Sequence, residues 1–491
     1  MKIFLRRTFL AALGALPLVA SAVALEPDYA AEITLPPNIA PLNFDVLDAT
    51  AGVCRVTLAA PGGEILEAAG PKVRWKAAAW RAFLARHAGS TCTLAVDGAP
   101  ATSWTISTDA IDSHLTYRMI RPGYNGFGLL GIWQRDLTTF DERPLYRNIQ
   151  LSHRQCVNCH TYNRGDPETY LFHSRLDHEG TVVRSPKYGL KMVDLRFPGS
   201  FAQGTYPAWH PGGDFICFSE NRTFQVFYEA GPTKIEVADL RSDLFLYSLA
   251  DGTATVIEDA PETFESFPAW SPSGRELFTS RARTEYREEP ENRFQKSSQA
   301  FASLSNLRYD LLVRAFDPAT RAFGAPRMLF DAQKEGASAT FPRVSPDGRW
   351  LVFTRGNFGV FHIWHREADL WICDLRTGAM RALDELNSPD TESYHCFSSD
   401  GHWMVFSSRR QDGSYTRPYF AHFDAAAGRF ATPFLLPAAS PDAHRRRLES
   451  YNVPEFSTGP VRESPRQLRQ CLESDPAKTG RIELPQGRQG E

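Results

Sequence analysis

YPAWHPGGDFICFS at residues 206–219 decides the fold, because the chain writes it again. FPAWSPSGRELFTS follows at 267–280, FPRVSPDGRWLVFT at 341–354 and YHCFSSDGHWMVFS at 394–407. Each copy opens on an aromatic-led strand, turns at an (S/H)-(P/S)-x-G group, and continues as an alternating apolar strand ending in Ser or Thr. Apolar alternation marks a half-buried strand, and Gly and Pro mark the turns between strands. Three of the four copies are then followed by two more strands around a D-G or T-G turn, as in SDLFLYSLADGTATVI from 242 and ADLWICDLRTGAMRAL from 368. Four antiparallel strands per repeat, stacked radially, make a β-propeller blade. The copies begin 61, 74 and 53 residues apart, more than the roughly 40–45 of a minimal blade. Several connections therefore carry insertions, the polar stretch from Arg281 to Ser305 being the largest.

A ring of blades must close. SYNVPEF at 450–456 mimics the first strand of a blade, and TYLFHSRLDHEGTVV (169–183) with YGLKMVDL (188–195) reads as later strands lying upstream. A closing blade built from both ends of the chain gives about five blades, with six possible if one hides in an insertion. Residues 25–150 read as a separate β-rich domain with one helix: NFDVLDA, CRVTLAA, TCTLAVD, WTISTD and HLTYRMI alternate, and WKAAAWRAFLARH (75–87) puts Trp80, Phe83 and Leu84 on one helical face. Residues 151–200 are expected to connect this domain to a propeller over 201–458. The polar, Pro/Gly-rich tail 459–491 is expected to be disordered. The composition suits a mainly β protein with many turns: 12% aromatics, 34 Gly and 34 Pro in 491 residues. A net charge of -3 gives no reason to expect nucleic acid.

The N-terminus, MKIFLRRTFLAALGALPLVASAVA, has basic residues, an apolar run from Phe9 to Val19, and small residues in the A-x-A pattern. That is the pattern of a secretory signal peptide over residues 1–24. Arg6-Arg7 also resembles a twin-arginine signal; the general secretory route is favoured. The expected location is the periplasm, with no integral membrane segment after cleavage.

Export gives meaning to Cys156-Val157-Asn158-Cys159-His160, a CxxCH motif. Two thiols at this spacing form thioether bonds to the two vinyl groups of one haem c, and the following histidine ligates the iron. Cys156 and Cys159 are the expected attachment residues and His160 the proximal ligand. His173 is the candidate distal ligand, with Met192, His153, His178 and Met119 as alternates. The rival readings are a zinc site of Cys156, Cys159, His173 and His178 and a Cys156–Cys159 disulfide. Of the other cysteines, Cys54 and Cys92 could pair in an oxidising compartment, while Cys217, Cys373 and Cys396 read as buried strand residues. His210, His362, His365 and His395 lie in or near blade motifs. They read as hydrogen-bonded turn and strand-end residues rather than a metal centre.

The P-x-W-(S/H)-P-x-G repeats resemble those of TolB-type propellers. The wider pattern runs from APLNF and RPGYNGFG through NCH, YPAWHPGG, IWHREADL and SSRRQDGSYTRPYF to ESYNVPEF. It resembles a family of exported TolB-like propeller proteins carrying a single c-type haem motif, over residues 35 to 458. The resemblance implies a propeller and one covalent haem, places a histidine at 173, and implies no particular activity. Two function classes follow. One is electron transfer by a periplasmic monohaem cytochrome with a protein redox partner. The other is a scaffold whose propeller face binds a protein or glycan, the haem being structural or sensory. A haem redox enzyme with an open iron site is a third. No GxSxG elbow or P-loop is present and no Rossmann glycine pattern follows a strand, so the chain shows no catalytic motif beyond haem attachment.

Overall fold

The computed structural model describes residues 23–483 apart from 30, 48–51, 123–125, 152–154, 230–232, 234, 259 and 285–303. Residues 1–22 of the signal peptide expected over 1–24, and His153, lie outside the described residues.

Six four-stranded antiparallel sheets form a ring. Blade 1 orders Ser450–Ser457, His114–Ile120, Gly131–Asp136 and Glu142–Arg147, so the last strand of the ring pairs with the first. Blade 2 runs Gln155–Tyr162, Tyr170–Leu176, Gly180–Ser185, Gly189–Asp194, and blade 3 runs Gly204–Trp209, Phe215–Phe227, Ile235–Ser248, Thr253–Glu258. Blade 4 is built on Thr263–Trp270, Glu276–Arg283, Tyr309–Asp317 and Arg327–Phe330. Blade 5 follows as Ser338–Val344, Trp350–Gly356, Asp369–Asp374, Met380–Ala382. Blade 6 is Glu392–Phe397, Trp403–Ser408, Arg417–Asp424 and Phe434–Leu435. The architecture is a mainly β propeller, with six blades among the described residues.

The sixth blade was concealed by two misplaced boundaries. Strands His114–Ile120 to Glu142–Arg147 belong to the ring and not to the N-terminal domain, because Ser450–Ser457 pairs with His114–Ile120 over its whole length. The CxxCH stretch is not a connector either. It is the innermost strand of blade 2, paired antiparallel with Tyr170–Leu176.

The N-terminal domain carries a five-stranded sheet, a small three-stranded sheet and one helix, Ala77–Arg86, which buries Trp80, Phe83 and Leu84 as its spacing predicts. Its core is continuous with that of the last blades: Trp80, Trp104 and Phe44 share a cluster with Trp403, Phe420 and Phe456. The register Val56↔Val96 and Ala59↔Thr93 sends Cys54 and Cys92 to opposite ends of one strand pair, and both thiols are free and buried. The tail also departs from expectation. Ser464 caps a helix, Pro465–Glu473, with a reciprocal bond to Gln467, and Leu468, Cys471 and Leu472 are buried beside blades 1 and 2. Short strands at Ala477–Lys478 and Arg481–Glu483 then pair with the outer edges of blades 2 and 3. Among the described residues, no helix is long and apolar enough to cross a membrane.

Candidate functional site at the propeller axis

Each innermost strand breaks register once, and at each break a non-glycine residue takes a left-handed backbone conformation. The six are Cys159 (φ 50°), Tyr206 (45°), Phe267 (56°), Phe341 (53°), Tyr394 (47°) and Val453 (50°). Such angles are rare for residues bearing a Cβ, yet here they recur once per blade. The bulge turns one side chain per blade toward the axis. Four of these are aromatic and touch in sequence: Tyr206–Phe267 at 4.5 Å, Phe267–Phe341 at 4.1 Å and Phe341–Tyr394 at 4.5 Å between ring centroids. Cys159 and Val453 complete the ring where an aromatic residue would otherwise stand. All six line one axial cavity of about 150 Å³, with Arg118, Arg175, Arg343 and Glu455 also in its wall.

The pleat of blade 2 sorts the motif. Val157 and Tyr162 pack with Phe172 in the core shared with blade 1. Leu171 packs toward blade 3. By alternation, Cys156 and Asn158 share the blade 3 face with their cross-strand partners Arg175 and His173. His160 is turned to blade 1, with Thr116 and Val453 of that blade beside its ring. The structure thus brings Cys156, Asn158 and His173 to one face and puts His160 on the other. Cys159, at the bulge, opens on the axial cavity.

Both imidazoles are buried, and both retain bare nitrogens. His160 Nδ1 and Nε2 lie beside the backbone of Thr116 and Val453 without a well-formed hydrogen bond; burial pushes its pKa down to about 4. His173 Nδ1 meets Thr181 Oγ1 at 3.1 Å, while its Nε2 has no partner; burial, with Arg175 adding repulsion, pushes it down to about 3. Both rings are neutral at pH 7 and their free nitrogens are available as ligands. Arg118 donates to Cys156 Sγ at 3.2 Å.

Glu455 was not singled out by its sequence. Its carboxylate accepts from Thr161 Oγ1 at 2.9 Å and from the Tyr162 amide at 3.0 Å, both on the CxxCH strand. It stands in the wall shared by the axial cavity and a second one of about 380 Å³ further along the axis. Burial raises its pKa to about 7 against those hydrogen bonds, so it exchanges a proton near neutrality.

The alternates lie elsewhere. Met192 shares the blade 1 face but sits three strands out from His160, beyond Phe172 and Val182, or roughly 14 Å at the usual strand spacing. Met119 packs into the core shared with the N-terminal domain. His178 is exposed in the turn before Gly180, so Cys156, Cys159, His173 and His178 do not assemble as a zinc quartet. The blade histidines are hydrogen-bonded as expected: His210 to Gly274 O, His362 to Thr340 and Phe358 O, His365 to Glu236, His395 to Val352 O.

No family model matches the sequence, and no curated protein matches it. Among solved structures, TolB from Acinetobacter baumannii is 12% identical over 75% of this chain and 79% of that chain, with a TM-score of 0.42. Kuenenia stuttgartiensis hydrazine synthase is 11% identical over 72% of this chain and 48% of that chain, also at 0.42. An oligogalacturonate lyase solved with manganese is 12% identical over 61% of this chain and 85% of that chain, at 0.32. At this distance the neighbours' activities do not transfer. The propeller rests on its own six sheets.

Proposed function

We propose that this chain is an exported monohaem c-type protein working in electron transfer, with its haem held covalently by Cys156 and Cys159 at the propeller axis. The observation that supports the reading most is the placement of the motif. Both thiols lie on the innermost strand of a blade, Cys159 at the wall of the axial cavity, and the same sheet carries two buried imidazoles with bare nitrogens. Each thiol would add across one vinyl group, sulfur to one carbon and the thiol proton to the other. When bound, the haem supplies a one-electron couple at iron. The chain's own residues do the rest. His160 and His173 are the imidazoles available to the iron, and Arg118, Arg175 and Arg343 place positive charge in the wall, where they favour carboxylate groups. Glu455 can take up or release a proton beside the site as the charge there changes. The cavity is smaller than the roughly 300–1,000 Å³ of pockets that bury drug-sized ligands, so loading requires its wall to move.

A second reading is favoured by one observation: His160 and His173 lie on opposite faces of one sheet. On this backbone only one of them would hold the iron of a bound haem, whose chemistry would then include binding a small molecule. The reduced-minus-oxidised absorption spectrum of periplasmically expressed protein, taken with and without CO, tests both. A sharp c-type α-band unmoved by CO supports electron transfer at a six-coordinate centre. A CO-shifted band moves the open-site redox reading to the front. No haem band sinks both, as would an unchanged covalent haem in Cys156→Ala/Cys159→Ala.

A further inference from the structure

Asp109, His402 and His422 come together far along the chain from the CxxCH strand. Asp109 lies in the linker between Ala99–Ile106 of the N-terminal domain and the first propeller strand; His402 and His422 belong to blade 6. His422 Nε2 is 2.7 Å from Asp109 Oδ2, His402 Nδ1 is 3.8 Å from the same oxygen, and the three ligand atoms all lie within 4.8 Å of one another. We propose that these three side chains form a divalent-cation site of the zinc class, with the remaining coordination positions taken by water, which pins the linker to blade 6.

The carboxylate is held in place independently of the histidines. Trp403 Nε1 donates to the Asp109 carbonyl at 3.0 Å, and Ser107 Oγ bonds both the Asp109 amide, at 3.0 Å, and its Oδ2, at 3.1 Å. Three residues on, Asp112 accepts from the amide and hydroxyl of Ser399, both at 2.7 Å, fixing the linker to the same blade. The Asp109–His422 bond therefore adds to a contact already made, and His402 is not needed for it at all. His402 nevertheless stands beside His422 with ring planes 10° apart and centroids 6.4 Å apart, on the exposed side where a third ligand belongs. Two imidazoles and a carboxylate suit zinc, whose 2.0–2.2 Å bonds ask for ligand atoms roughly 3.3 Å apart. Small rotations of two surface rings supply that spacing. Three protein ligands leave a position open to solvent.

The test is zinc chloride titrated into the untagged full-length protein, followed by calorimetry, thermal unfolding and X-ray absorption at the zinc edge. The expected result is one equivalent bound through nitrogen and oxygen, with a rise in melting temperature. His402→Ala should weaken binding at least tenfold and abolish the rise, while leaving the metal-free melting temperature unchanged, because this side chain is 47% exposed. Asp109→Asn should weaken binding likewise. Sulfur in the absorption spectrum would place the zinc at the CxxCH thiols and overturn the proposal. So would equal affinity in His402→Ala, or no binding at all.

Discussion

At the level of single residues, the informative positions are those where the repeat is broken. Aligning the six inner strands at their bulges sets Thr161 against Ala208, Ala269, Arg343, Cys396 and Glu455. Arg343 and Glu455 put charge where two blades have alanine, and both line the axial cavity. Glu455 has a measurable consequence. Its folded pKa, about 7, lies above that of an unfolded glutamate, so between pH 4.5 and 7 the folded state holds the extra proton. Stability should then fall as pH rises through this window and level off above it. With one side of the carboxyl facing the cavity, the loss is about 2 kcal/mol at most. Urea unfolding of wild type and Glu455→Gln from pH 4.5 to 8 checks it: the variant curve should lack this slope.

Elements show what the chain made legible and what it hid. Four blades are readable because aromatic, Pro and Gly recur at fixed offsets. The CxxCH strand hides because chemistry has replaced the markers: Cys159 stands for the aromatic, His160 for Pro207, Pro268 and Pro342, and Tyr162 for Trp209 and Trp270. Motif and repeat overlap at Cys159 and His160, and the motif is the louder signal. Blade 1 hides because HLTYRMI alternates like any strand of the N-terminal domain; only its partner, 330 residues later, assigns it. The faces of His160 and His173 depend on a bulge that spacing does not reveal. One element also carries a pH response. The long hairpin of Phe215–Phe227 and Ile235–Ser248 reaches the loop of blade 5, where His365 Nε2 meets Glu236 at 2.9 Å and Nδ1 faces Glu367 at 3.4 Å. Burial opposes the charge on His365, but the two carboxylates win and raise its pKa to about 9. A raised histidine stabilises fully below its unfolded pKa of about 6.5 and loses that contribution as pH rises through 9. Hydrogen exchange in 235–240 should accelerate between pH 7 and 10 by more than the intrinsic base catalysis of exchange. His365→Gln should abolish that excess.

For the molecule as a whole, closure is the controlling fact. Ring strands share no edge only because Ser450–Ser457 returns to His114–Ile120. Arg447, just before that strand, grips Glu142 of the outermost strand of blade 1 through two bonds of 2.9 and 2.8 Å. Glu142 is 14% exposed, so its partner's removal leaves a largely buried carboxylate, and Arg447→Ala should cost about 1–3 kcal/mol. The tail beyond the ring does a separate job. Val461, Leu468 and Leu472 are each at most 1% exposed against the core between blades 1 and 2. Buried apolar side chains of this size contribute roughly 1.5–3 kcal/mol each, an upper estimate because unfolded chains bury some of that area already. Ending the chain after residue 458 should therefore leave a closed propeller with a clearly lower urea midpoint, while ending it after 449 removes the inner strand of blade 1 and should prevent folding. Near-ultraviolet circular dichroism and urea titration of the two truncations separate the roles. If both lose tertiary structure alike, the tail is part of the closure; if the shorter chain still folds, the ring does not depend on its last strand.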